Sequence, residues 1–229
     1  GALRLGAVLV PMNPLLKGRE VTYYLTDSGA KVLVSWHGFA EAAKAGAEEA
    51  GAKLILVTPG EIEAALSEAE QVDDVADRAD DDPAVIIYTS GTTGTPKGAV
   101  LTHSNLEAGA QVGLDLVGVD SEGVAVATLP LFHVFACYPI LMSMIASGAH
   151  VVFPTPQGYR GEGVFDNFWK LVERYRVTYM ITVPTALAAL MQRPVNADIS
   201  SLKNAFSGSS PLPVELYNRF RKETGVEIV

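Results

Sequence analysis

Tyr88-Thr-Ser-Gly-Thr-Thr-Gly-Thr-Pro-Lys-Gly98 follows directly on the apolar run Ala84-Val-Ile-Ile87, and every position from Thr89 to Thr95 is glycine or carries a hydroxyl. Glycines at 91 and 94 let backbone N–H groups turn toward a ligand without Cβ interference. Thr89, Ser90, Thr92, Thr93 and Thr95 add hydroxyl donors, and Lys97 supplies the positive charge that polyphosphate oxygens require. The stretch is not the P-loop of the standard NTPases, where Gly-Lys-[Ser/Thr] opens a helix. Here Pro96 precedes the lysine and Gly98 opens a second strand, so the loop is expected between two buried strands, with no helix dipole beneath it.

Outward from this loop, strand-length apolar runs recur at 7–11, 32–35, 53–57, 85–89, 99–102, 124–128, 150–153, 178–182 and 203–206. Between them, apolar residues at a 3.6 period predict helices over 19–27, 39–50, 105–117, 132–147, 165–175, 184–191 and 213–224. Ser104-Asn-Leu-Glu107 adds a capping box to the third. The rhythm predicts an α/β fold of mostly parallel sheets flanked by helices. Residues 73–82 carry six Asp and read as a solvated connector, because no Gly-turn loop with spaced ligands accompanies them. Residues 1–6 read as a helix tail and 225–229 as the start of a strand.

The 229 residues are 48% hydrophobic and 19% charged, with mean hydropathy +0.23, which is the composition of a folded interior and excludes disorder. Acidic residues outnumber basic ones by 26 to 17, a net charge of −9 that argues against nucleic-acid or anionic-lipid partners. A phosphate must therefore be held by local donors. The lone Cys137 excludes an internal disulfide framework and any multi-cysteine zinc site, and the expected setting is reducing and cytoplasmic. Residues 123–159 contain no Asp, Glu, Lys or Arg. Pro130, Pro139, Gly148, Pro154 and Pro156 interrupt that run, so a buried strand–helix–strand unit is expected rather than a transmembrane segment.

At residues 86–97 the chain resembles the adenylate-forming superfamily of acyl-CoA synthetases, luciferases and peptide-synthetase adenylation domains, matching its AMP-binding signature at every position. Resemblance to the acyl-CoA ligase branch continues in Gly6-Ala-Val-Leu-Val-Pro-Met-Asn-Pro14, Asp27-Ser-Gly-Ala-Lys-Val32, Leu129-Pro-Leu-Phe-His-Val-Phe135 and Ser207-Gly-Ser-Ser-Pro-Leu-Pro213. It implies a ligase that activates a carboxylic acid, a fatty acid first, with ATP to acyl-AMP and then transfers the acyl group to coenzyme A. An aryl-CoA ligase, a peptide-synthetase-type adenylation domain and a non-catalytic nucleotide-binding protein are the alternatives, and self-association into a homo-oligomer is a further expectation.

The resemblance also distributes roles. Ser90, Gly91, Thr92, Thr93, Gly94, Thr95, Pro96 and Lys97, with Thr89 at their entrance, would hold the β- and γ-phosphates, and Thr92, Thr93 and Lys97 would carry most of the effect. His133 would lie beside the reacting carboxylate, whereas His37, His103 and His150 read as structural. Gly208, Ser209, Ser210 and Pro211 resemble the family's Gly-Gly-Ala-Pro segment that packs against adenine, with serines adding bulk. Residues 132–145 with Val183-Pro-Thr185 would supply an apolar wall for the acyl group. Residues 1–229 would then be an internal part of the large N-terminal domain and hold no metal ligand themselves. A Tyr-Gly-x-Thr-Glu segment that binds AMP and Mg²⁺ would follow Val229, with the hinge and small C-terminal domain further on.

Overall fold

The computed structural model describes residues 1–89 and 94–229, with the backbone alone at 116, 117 and 139. They form two compact units, Gly1–Ser104 and Asn105–Val229.

In the first unit, α1 (Gly18–Ser28) starts where the Lys17 N–H donates to the Glu20 carboxylate at 2.8 Å, and it ends on Gly29 at φ 68°. After it come β1 (Val32–Trp36), α2 (Ala40–Ala50) and β2 (Lys53–Val57), a βαβ unit whose strands pair in parallel from Val32↔Lys53 to Trp36↔Val57. Side chains alternate across this pair: Leu33 and Leu54 pack against Val21 and Leu25 of α1 and Ala47 of α2, while Val32 and Val34 face outward. Helix α3 (Glu61–Glu68) has no counterpart among the expected helices. None of its residues is buried, so it has no apolar stripe to announce it, and the Glu63 carboxylate accepting the Gly60 N–H at 2.8 Å starts it.

Strands β3 (Pro83–Thr89) and β4 (Lys97–Thr102) form an antiparallel hairpin that closes on the pair Thr89↔Lys97. The expectation of two buried strands holds for β3 alone. Ala84 and Val85 are 0% exposed, whereas Lys97–Val100 lie open, with Val100 53% exposed at the edge of a two-stranded sheet. The run at 7–11 contributes one parallel bridge, Leu9↔Val85, and Pro11 has no N–H with which to extend it. The acidic connector has no secondary structure over 70–79 and is tied to the N-terminal turn, Arg4 donating to the Asp73 carbonyl and Arg78 to that of Gly6.

Helix α4 (His103–Val117) begins at the boundary of the units. Its first N–H groups go to the Asp82 and Asp80 carbonyls, so the helix opens one residue before the expected Ser104 cap. The second unit continues with β5 (Val124–Val126), α5 (Ser143–Ser147), β6 (His150–Val152), α6 (Val164–Tyr175), β7 (Tyr179–Thr182), α7 (Pro184–Leu190), β8 (Asn204–Ser207) and α8 (Val214–Thr224). The strands form one parallel sheet in the order β6-β5-β7-β8, and the chain end adds a parallel bridge from Ile228 to Ala205.

Both sheet faces are covered. Val126, Met180 and Ala205 meet Phe168, Trp169 and Val172 of α6, Leu187 and Leu190 of α7 and Phe220 of α8. Ala125, Tyr179 and Ile181 meet Met144 and Leu114 on the other face. Each large apolar side chain fully buried in these layers contributes about 1.5–3 kcal/mol. The helix expected over 132–147 is instead a turn, a π-helix at Ala136–Met142 and then α5. Pro139 within it has no backbone N–H for the i−4 carbonyl, and the coil widens there. Among the described residues no helix is long and apolar enough to cross a membrane.

Candidate active site

In the first unit, the site residues lie at the loop end of the β3–β4 hairpin. Thr89 ends β3, exposed, and pairs with Lys97, which opens β4 and is also exposed. Gly94 takes φ 96°, a conformation that the glycine at this position makes accessible, and Thr95 follows on the surface. Pro96 is half-buried, its carbonyl accepting a hydrogen bond from the Tyr23 hydroxyl at 2.8 Å. Ser90, Gly91, Thr92 and Thr93 lie outside the described residues. At the other arm the Tyr88 hydroxyl donates to Asp27 at 2.5 Å, and partial burial together with that acceptor pushes its pKa above the usual tyrosine range. Tyr88 is therefore a neutral donor at physiological pH. The roles of Tyr23 and Asp27 are not legible in the sequence beyond their one-turn spacing on α1.

In the second unit, strand order reverses about β5, which neighbours both β6 and β7. Ligands of open parallel sheets bind outside the carboxyl ends of the strands at such a reversal. The segments leaving those ends are the ones singled out by sequence. The chain after β5 carries His133, exposed, its ring 4.6 Å from that of Phe132. The His133 carbonyl accepts the Cys137 N–H at 3.2 Å, so the residue stands at a helix start. After β7 come Val183-Pro-Thr185, and after β8 come Gly208, Ser209, Ser210 and Pro211, the last three exposed.

Two of these segments meet. The Phe135 ring lies so close over Gly208 that a Cβ there would sit 2.6 Å from it. Phe135 falls within the run expected to wall the acyl group, and only the fold brings it to Gly208. Ser209 adopts φ 70°, a left-handed conformation that disfavours a side chain, and it stands where the Gly-Gly-Ala-Pro pattern has glycine. The Ser207 hydroxyl, at the same strand end, is buried and among the described residues has no hydrogen-bond partner.

The expected apolar wall is mixed: Ala136, Tyr138 and Met144 are buried, whereas Val134 and Ile145 are exposed. A small cavity lined by Val126, Thr128, Leu131, Ala136, Ile140 and Met144 has about 20 Å³. Burial raises the Cys137 thiol pKa, leaving it a protonated, weakly reactive group. Among the described residues no cluster of three His, Cys, Asp or Glu side chains could hold a metal ion.

Two curated relatives align over nearly the whole chain. A feruloyl-CoA synthase of Amycolatopsis sp is 35% identical over 219 residues, 94% of this chain and 42% of the relative. A 4-coumarate–CoA ligase of Arabidopsis thaliana is 32% identical over 238 residues, 97% of this chain and 41% of the relative. The crystal structure of a long-chain-fatty-acid–CoA ligase from Archaeoglobus fulgidus superposes with a TM-score of 0.84 at 26% identity, covering 97% of this chain and 45% of that one. The chain thus spans less than half the length of each of these three relatives. The family model described as AMP-binding enzyme matches residues 1–229, and with the hydroxyl–glycine loop and the parallel-sheet edge it places this chain in the AMP-binding enzyme family.

Proposed function

We propose that this chain is part of the large domain of an acid–CoA ligase and supplies its phosphate-holding hairpin and adenylate-side sheet edge. The observation that carries the reading is Lys97, exposed at the foot of the hairpin and paired with Thr89 across a loop of glycines and hydroxyls.

In the first step a carboxylate oxygen attacks the α-phosphorus of ATP, and the bond to the β-phosphate oxygen breaks to release pyrophosphate. A carboxylic acid with a pKa near ~4–5 is already ionised at neutral pH, so the step needs no general base. Positioning and charge neutralisation govern it. Lys97 and the hydroxyls of Thr89, Thr92, Thr93 and Thr95 would take up the charge of the departing pyrophosphate. His133 would orient the acid and the phosphate, and Gly208 through Pro211 would lie against the adenine. In the second step the thiol sulfur of coenzyme A attacks the acyl carbon and AMP leaves. Mg²⁺ accompanies ATP in solution, and the described donor set offers it no cage, so no step is assigned to a metal bound by these residues.

For the acid, the relatives named for feruloyl-CoA and 4-coumarate favour an aryl acid over the fatty acid expected from sequence. A fatty acid is the second reading, supported by the fatty-acid–CoA ligase neighbour and the uncharged run 123–159. The test is pyrophosphate–ATP exchange by the intact protein against ferulate, 4-coumarate, benzoate and medium- and long-chain fatty acids. Exchange driven best by an aryl acid is the expected result. Exchange driven best by a fatty acid reverses the order of the two readings, and exchange with none of the acids overturns the proposal.

A further inference from the structure

Tyr23 and Asp27 stand one turn apart on α1 and reach opposite arms of the same loop. The Tyr23 hydroxyl donates to the Pro96 carbonyl at 2.8 Å, and Asp27 accepts the Tyr88 hydroxyl at 2.5 Å. Between them Tyr24 stacks on the Tyr88 ring, centroids 4.1 Å apart at 21°, and Tyr23 meets that ring edge-on at 6.0 Å. Tyr88 in turn pairs with Gly98 across the hairpin. One helix face thus holds the residue that enters the loop and the residue that leaves it.

We infer that α1 is a clamp on the phosphate loop, with Tyr23 and Asp27 as positioning residues that set where Lys97 stands. This deepens the ligase reading and rests on it for the identity of the ligand. The β-ladder fixes the hairpin only as far as Thr89↔Lys97. Between those two residues the sequence is glycine and small hydroxyl residues up to Pro96, and ordering such a backbone around a ligand costs conformational entropy. The Pro96 carbonyl belongs to the peptide plane that carries the Lys97 N–H, so the Tyr23 hydrogen bond fixes the plane from which the Lys97 side chain departs. An arm held before the nucleotide arrives lowers the ordering cost of binding.

Tyr23→Phe keeps the ring and removes only the hydroxyl, so helix packing survives. Trypsin cutting after Lys97 reads the arm directly, and the exposed Lys44 of α2 is the internal reference. In the intact protein, Tyr23→Phe is expected to speed cleavage after Lys97 about fivefold, the equivalent of one lost hydrogen bond, with cleavage after Lys44 unchanged. The KM for ATP in acid-driven exchange should rise by about the same factor while the KM for the acid stays constant. Asp27→Asn, which keeps an acceptor for Tyr88, should behave nearly as wild type, and Asp27→Ala should follow Tyr23→Phe. Cleavage after Lys97 at the wild-type rate overturns the clamp, and faster cleavage with an unchanged KM for ATP overturns the positioning of Lys97. If no acid drives exchange in the wild type, the ligase reading falls, whereas faster cleavage after Lys97 still supports the clamp.

Discussion

Gly208 and Phe135 show how a single missing methyl shapes the sheet edge. A Cβ at 208 would lie 2.6 Å from the Phe135 ring, too close for either group to keep its place. Gly208→Ala should therefore destabilise the protein by about 1–3 kcal/mol, the usual cost of overpacking. Phe135→Leu, which removes the ring, should restore most of that loss when combined with it. Thermal unfolding of the two single variants and the double variant checks this, and additive losses would contradict the contact. Ser209 carries a different burden, a left-handed backbone with a side chain, worth roughly 1–2 kcal/mol against an ordinary conformation. The strain sits beside the Ser207 hydroxyl, which has no hydrogen-bond partner among the described residues, at the strand end where a ligand is proposed.

At the scale of elements, the connection from α7 to β8 has an acid-sensitive joint. The Asp198 carboxylate accepts the Ser200 N–H at 2.9 Å and meets Arg176, at the left-handed end of α6, at 3.1 Å. The Ser200 hydrogen bonds first, and Arg176 after them, hold its pKa below the ordinary aspartate value of 3.8. Its stabilising effect is thus complete above that value and disappears as pH falls through the lower folded-state pKa. Asp198→Asn should be less stable than wild type by a constant margin between about pH 5 and 7, and the two should converge in stronger acid. A margin that widens on acidification would contradict the assignment.

The elements also show what a single sequence can carry. Helices such as α6, with Phe168, Trp169 and Val172 all buried, announce themselves by period because one stripe must meet the sheet. Helix α3 buries nothing and leaves no such trace. The π-helix at Ala136–Met142 hides inside an ordinary apolar run, since periodicity registers the face and not the pitch. Strand β4 reads as buried because Ala99, Val100 and Leu101 are apolar, but exposure depends on what lies alongside, and Val100, opposite Ile86 in a two-stranded sheet, stays 53% exposed. The hydroxyl–glycine loop was legible because its chemistry is local. The pairings Tyr23–Pro96, Asp27–Tyr88 and Phe135–Gly208 were not, because each joins residues that only the finished fold makes neighbours.

For the molecule as a whole, net charge and proposed ligand pull in opposite directions. A chain of net charge −9 repels a polyphosphate at long range, so affinity has to come from groups within hydrogen-bond reach. Lys97 is exposed and enters no ion pair found among the described residues, so its removal should leave the fold intact while withdrawing a charge from the loop. The most direct test is acid-driven pyrophosphate–ATP exchange in the intact protein with Lys97→Ala, thermal unfolding serving as the control. The account predicts an unchanged melting temperature and a loss of exchange of roughly 10- to 100-fold, the scale of one charge-assisted hydrogen bond. Exchange at the wild-type rate in Lys97→Ala would contradict it.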